Sequence, residues 1–208
     1  MKVSAVIVKP QKKRHKPYKI SPPLIFSFSA VLSAFVSGVL LYCFFKEKLY
    51  TGIFEIFISF FTDYTQKSSL EILSGLIISE LPYVFMMLIF SFSAIGYPFT
   101  LLLTFIKSLA PTLLFSHLYS EYALKGAEYA FLVLLPGEII CLFGVLLMTQ
   151  SCFTASKQFT DNIKSVKGES TTEIKSFMLK FAVSTLIIMM SKLIMLCTIS
   201  IFGDLFAF

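Results

Sequence analysis

Five stretches of this chain are so apolar and so long that only helices shielded from water can accommodate them. They fall at about 22–45, 72–95, 97–120, 129–149 and 177–202. At about 1.5 Å per residue, roughly 20 such residues cross a hydrocarbon core about 30 Å thick. Lipid offers no partner to a bare N–H or C=O, so the backbone must satisfy itself inside each segment. The predicted class is therefore all-α: a polytopic membrane helical bundle of about five transmembrane helices. Composition agrees, with 56% hydrophobic and only 14% charged residues, against about 25% charged in a soluble domain. The mean hydropathy is +0.82. A chain of 208 residues suits one domain. The organisation expected is a basic tail over 1–21 and a single membrane-embedded domain over 22–208, multi-pass in the cell membrane.

The net charge of +6 is concentrated at the start. Lys2, Lys9, Lys12, Lys13, Arg14, Lys16 and Lys19 precede the first apolar run with no acid among them. In a membrane protein such a tail sets orientation and is drawn to anionic lipid headgroups. It has no folded module behind it, so nucleic acid is not an expected partner. The first run is too long for a cleaved signal and reads as a retained signal-anchor helix.

Residues 46–69, rich in Phe and Ile but interrupted by Glu55 and Asp63, suit an interfacial or connecting helix rather than a crossing. The long polar connection at 150–176 contains Ser170-Thr171-Thr172-Glu173, the pattern of a capping box. With the tail inside, Lys157, Lys164, Lys167 and Lys175 also lie inside, leaving Lys46, Lys48, Lys67 and Lys125 outside. That asymmetry predicts an N-terminus inside and a C-terminus outside.

Charges within the apolar runs are the candidate site. A charge facing lipid at mid-depth costs about 2.5–3.5 kcal/mol on insertion scales. Lys180 sits near the inner edge, where its stem can carry the ammonium to water. Glu80, Lys107, Glu138 and Lys192 are deeper. Counting along each helix, Lys107 and Glu138 lie roughly 15–16 Å from the inner end, and Glu80 and Lys192 roughly 22 Å. The expected pairs are therefore Lys107 with Glu138 and Glu80 with Lys192, facing the bundle interior. Pro136-Gly137 beside Glu138 predicts a helix break whose freed groups must meet protein or water, with glycine admitting another helix closely. Gly96-Tyr97-Pro98 predicts a tight turn with Pro98 in the next helix's first turn.

Other chemistry finds no footing in the sequence. The cysteines Cys43, Cys141, Cys152 and Cys197 lack CxxC spacing or a companion histidine, so no metal site is expected. No phosphate-binding loop, dinucleotide fingerprint, zinc-protease or Ser-x-x-Lys motif occurs. His15 and His117 stand alone. The chain is not expected to be an enzyme or to carry a cofactor.

Gly96 and Pro98, an apolar run holding Lys107, a short loop, Leu135-Pro136, and then small polar residues such as Ser151 and Ser156 follow in order. This order over roughly 70–160, with the basic tail and five-run layout, resembles the integral membrane family of stage II sporulation protein M. Ser108 and Ala110 stand where that family more often has glycine. The resemblance implies a non-enzymatic scaffold of forespore engulfment. Its partners would be the wall-acting stage II sporulation proteins D and P, so the role would be to anchor or localise peptidoglycan-degrading enzymes. The residues themselves leave a second possibility open. Mid-membrane charges and broken helices also serve permease or transporter subunits, and so small a bundle would then form a homo-oligomer or join an ATPase.

Overall fold

A computed structural model describes residues 22–49, 69–93, 95–164 and 171–202. Every regular element among them is helical: α1 (Pro22–Leu49), α2 (Ser69–Ser91), α3 (Gly96–Tyr129), a π-helical turn (Ala130–Leu134), α4 (Leu135–Lys164) and α5 (Thr171–Phe202). The basic tail, most of the 46–69 segment, Ser170 of the proposed capping box and the GDLFAF terminus lie outside the described residues. α5 does begin at Thr171, the residue after Ser170.

Four helical stretches are long and apolar enough to cross a membrane: Pro22–Phe45, Ser69–Ser91, Gly96–Thr160 and Ile174–Phe202. The third covers two of the five apolar runs. Its 65 residues would reach roughly 98 Å if straight, but it is folded back on itself. Thr104 and Thr149 are 45 positions apart, yet their hydroxyls meet at 2.6 Å. The reversal is at Ala123 (φ 48°, ψ −125°), a backbone conformation nearly reserved for glycine that costs about 1–3 kcal/mol in other residues. Thus the polar stretch EYALKGAE, expected as a loop, is helical on both sides of a one-residue break. Its apolar flanks pack, and Leu114 joins Val133 and Leu134 in one buried cluster.

The α2–α3 turn lies a few residues earlier than the Gly-Tyr-Pro signal suggested. α2 ends at Ser91, and the reversal is closed by Ser93 N–H donating to Phe90 O (3.2 Å) and Gly96 N–H to Ser93 O (3.0 Å). Gly96 opens α3 instead of sitting in the loop. A Cβ there would lie 1.7 Å from Phe90 O, so the glycine is needed for close approach. Pro98 falls in the first turn of α3, as its fixed φ allows.

Two apolar clusters form the interior. One gathers Tyr83 and Met87 of α2 with Cys141, Val145, Met148 and Cys152 of α4 and Phe177, Phe181 and Ile188 of α5. The other gathers Ile72, Leu76, Leu114, Val133, Leu134, Met195 and Ile199. The outer surface of the helices is apolar too, with Phe26, Leu32, Val36, Phe85, Ile106, Phe143 and Leu186 all exposed. That is the pattern of helices whose outer faces meet hydrocarbon.

Candidate functional site

The charged layer lies between these clusters on every helix that contributes to it. α2 runs from Ile72 and Leu76 through Glu80 to Tyr83 and Met87, and α5 runs from Ile188 through Lys192 to Met195 and Ile199. α4 and the turn before it likewise pass from Val133–Leu134 through Glu138 to Cys141. Each of these helices thus places one ionisable residue on its buried stretch between the two clusters.

The four side chains form one continuous ionic chain. Lys107 Nζ donates to Glu80 Oε1 at 2.5 Å, Lys192 Nζ lies 3.0 Å from the same oxygen, and Lys192 Nζ donates to Glu138 Oε1 at 3.2 Å. Glu80 is the hub, with its side chain 1% exposed. Lys192 is 5% exposed, while the outer members Lys107 and Glu138 reach 21% and 16%. Two ammonium groups and two carboxylates cancel, so the layer carries no net charge into a low-dielectric interior. Glu80 Oε2 and the Tyr83 hydroxyl are buried without a hydrogen-bond partner; both lysines converge on Oε1 alone.

All four charges singled out from sequence are therefore brought together, but the pairing by equal depth needs correction. Glu80 does meet Lys192. Lys107, however, reaches Glu80 rather than Glu138, and Glu138 is held by Lys192. Counting backbone height ignores the reach of the side chains. Four methylenes in lysine and two in glutamate bridge an offset of one helical turn. α3 packs against both α2 and α4, so adjacency alone does not choose between Glu80 and Glu138 for Lys107; the tight α4–α5 contact does bring Glu138 to Lys192.

Pro136 and Gly137 set that tight α4–α5 contact. Proline has no N–H and its ring collides with the carbonyl one turn back; the chain responds by widening to a π turn, in which Leu135 N–H donates to Ala130 O. Such bulges occur often at functional sites. Within this turn the Val133 carbonyl accepts from the Thr198 hydroxyl of α5 at 2.7 Å. A Cβ on Gly137 would sit 2.9 Å from Met195 Cβ and 3.2 Å from Ser191 O. One turn pair further on, a Cβ on Gly144 would sit 2.8 Å from Ile188 Cγ1. This close approach is what puts Glu138 within reach of Lys192.

A second set of polar groups was not singled out from the sequence. Thr100, Thr104, Ser108 and Thr112 line the buried face of α3 at intervals of four. Thr104, Ser108 and Thr112 donate to the carbonyls of Thr100, Thr104 and Ser108, at 2.8, 2.9 and 3.1 Å. Their fixed spacing in TLLLTFIKSLAPT was the available signal. Also unforeseen is the link between Tyr42 Oη of α1 and His117 Nδ1 of α3, 3.3 Å apart. Cys141 and Cys152 are buried and Cys43 and Cys197 exposed, all as free thiols. Among the described residues no group of His, Cys, Asp and Glu is placed to hold a metal ion.

Comparison with models of protein families, with curated proteins and with solved structures found no match to this chain.

Proposed function

We propose that the chain is a multi-pass integral membrane protein with five crossings, its N-terminus inside and C-terminus outside, acting as a non-enzymatic scaffold. The fold-back at Ala123 supports five crossings, because it turns one long apolar stretch into two antiparallel limbs. The lysine asymmetry between the segments on either side supports the orientation.

The observation that carries the scaffold reading is the closed ionic chain. Its members neutralise one another between two dry apolar clusters, and the hub is the most buried of them. A permease would instead present such charges to a substrate path. A chain of ions shared by α2, α3, α4 and α5 serves as a staple, holding a firm body in the bilayer against which partners outside can be fixed. By the resemblance carried on Gly96, Pro98, Lys107, Leu135 and Pro136, those partners are peptidoglycan-degrading proteins of forespore engulfment, of the stage II D and P kinds.

The test is deletion in the organism that carries the chain, scored for arrest at engulfment, with co-purification from membranes. Arrest and recovery of wall hydrolases are expected. Normal spores, or recovery of an ATPase in place of hydrolases, would transfer the assignment to a permease subunit.

A further inference from the structure

We propose that a groove between α4 and α5, at the end where their polar connection joins them, binds an anionic phospholipid by its headgroup and first acyl segment. The groove encloses about 440 Å³, within the range of about 300–1,000 Å³ usual for small-molecule sites. It lies well away from the ionic chain, and it is independent of the scaffold reading.

Its lining is graded along the helix axes. The end nearest the connection carries Gln158 of α4 with Ser176 of α5, and Lys180 stands midway with a stem long enough to reach that end. The end toward the bundle centre carries Leu147 and Val183 beside Gln150, Ser151 and Ser184, with Phe177 along the wall. Among the described residues, Lys180 is the one charged residue in the lining and no carboxylate lines the groove with it. The hydroxyl protons of Ser151, Thr154 and Ser184 are already given to Leu147 O, Gln150 O and Lys180 O. What remains to meet a ligand at the outer end is an ammonium group, an amide and the Ser176 hydroxyl, a donor set suited to a phosphate.

A free phosphate would use only that end. A phospholipid uses both, with its phosphodiester at Lys180 and its acyl chain descending past Phe177 toward Leu147 and Val183. Position favours the same occupant. α4 passes the end of its apolar run near Thr149 and continues to Lys164, so the groove straddles the expected boundary between hydrocarbon and headgroups. The connection beyond it sets Lys157, Lys164, Lys167 and Lys175 against Asp161, Glu169 and Glu173, so Lys180 itself must supply the attraction for an anionic headgroup. Lys180 therefore has a task beyond extending to water.

The test uses the full chain, which contains no tryptophan. Leu179 lines the groove and is 68% exposed, so Leu179→Trp supplies a sole reporter without disturbing the core. The delipidated protein in mild detergent is titrated with phosphatidylglycerol brominated on its acyl chains, with brominated phosphatidylcholine, and with glycerol 3-phosphate, following quenching and, by native mass spectrometry, bound lipid.

Phosphatidylglycerol is expected to bind at least about fivefold more tightly than phosphatidylcholine, the effect of one cation on an anionic headgroup. Lys180→Gln should abolish that preference and Lys180→Arg should keep it. Lys157→Gln, on an exposed lysine outside the groove, should leave it unchanged. Equal binding of the two lipids, an unaltered preference in Lys180→Gln, or an equal loss in Lys157→Gln would each overturn the proposal. Glycerol 3-phosphate binding as tightly as the lipid would overturn it in favour of a soluble phosphate site.

Discussion

α1 and the other four helices are held by different physics. α2, α3, α4 and α5 each contribute one ionisable side chain to a shared layer, so their relative heights are fixed by charges that must find partners. α1 carries no charge between Pro22 and Phe45. It lies against α3 through a seam of small or apolar residues (Ser27, Val31, Ala34, Gly38 and Tyr42), with Gly38 so close that a Cβ would stand 2.8 Å from Thr112 Cγ2. A polar tie to α3 joins Tyr42 with His117. Small-residue packing is short-ranged and tolerant of sliding, whereas an unpaired ion in hydrocarbon is penalised wherever the helix slides. The four-helix part should then behave as one unit, with α1 as an attached helix that is easier to displace.

Removing the hub should have the largest effect. Glu80→Leu leaves Lys107 without its carboxylate and Lys192 with only Glu138. Stripping a partner from a buried ion pair costs about 3–5 kcal/mol. Unfolding in mixed micelles should show a loss of that order, and membrane accumulation should fall. A change below about 1 kcal/mol would mean that the ions are solvated and the staple does not exist.

Next in size is glycine at the two kinds of interface. Gly137→Ala forces a methyl against Met195 Cβ and the Ser191 carbonyl, part of it rigid backbone, and should cost about 1–3 kcal/mol, as overpacking does. Gly38→Ala meets chiefly the Thr112 side chain, on a helix free to tilt, and should cost less. The order should be visible in melting curves of the two variants; the reverse order would make α1 the more firmly seated helix.

These contrasts show what the chain discloses before it folds. Apolar run lengths disclose the helices, and four charges in such runs disclose the site, because an ion in lipid without a partner is too costly to be accidental. Which lysine meets which glutamate was not disclosed. That depends on side-chain reach and on how the helices are set against one another, of which the α4–α5 part follows from Gly137 and Gly144 admitting α5, and only the assembled bundle shows it. The fold-back does fall within EYALKGAE, at residues 121–128, but as a one-residue break in place of a loop. EYALKGAE has loop-like polarity, but every residue in it except Gly126 favours or tolerates helix, so the break contracts to Ala123. The hydroxyl line on α3 passed unnoticed because Thr and Ser at intervals of four resemble ordinary helix filler. They become informative once Thr104 is seen against Thr149.

A smaller effect separates the middle of the ionic chain from its ends. Lys107 is 21% exposed, and Glu80 keeps Lys192 when Lys107 is removed. Lys107→Leu should therefore cost about 1 kcal/mol, the scale of a partly solvated pair, well short of the loss in Glu80→Leu. Equal losses in the two variants, read from the same micelle unfolding curves, would show that the chain is held as a unit with no hub.

The smallest expected effect tests the α1 side directly. Tyr42→Phe removes only the hydroxyl that meets His117 Nδ1, at a separation of 3.3 Å that is already long for a hydrogen bond. Hydrogen bonds between helices in membranes average about 0.6 kcal/mol in double-mutant cycles, so the variant should lie near that value, and in the cycle with His117→Ala the second change should cost little more. The informative readout is local. Cysteine labelling at Cys43, exposed on α1, should accelerate in Tyr42→Phe while labelling at Cys197, exposed on α5, stays constant. Acceleration at both sites would mean that loosening α1 loosens the ionic core as well, and the division between an attached helix and a stapled unit would have to be given up.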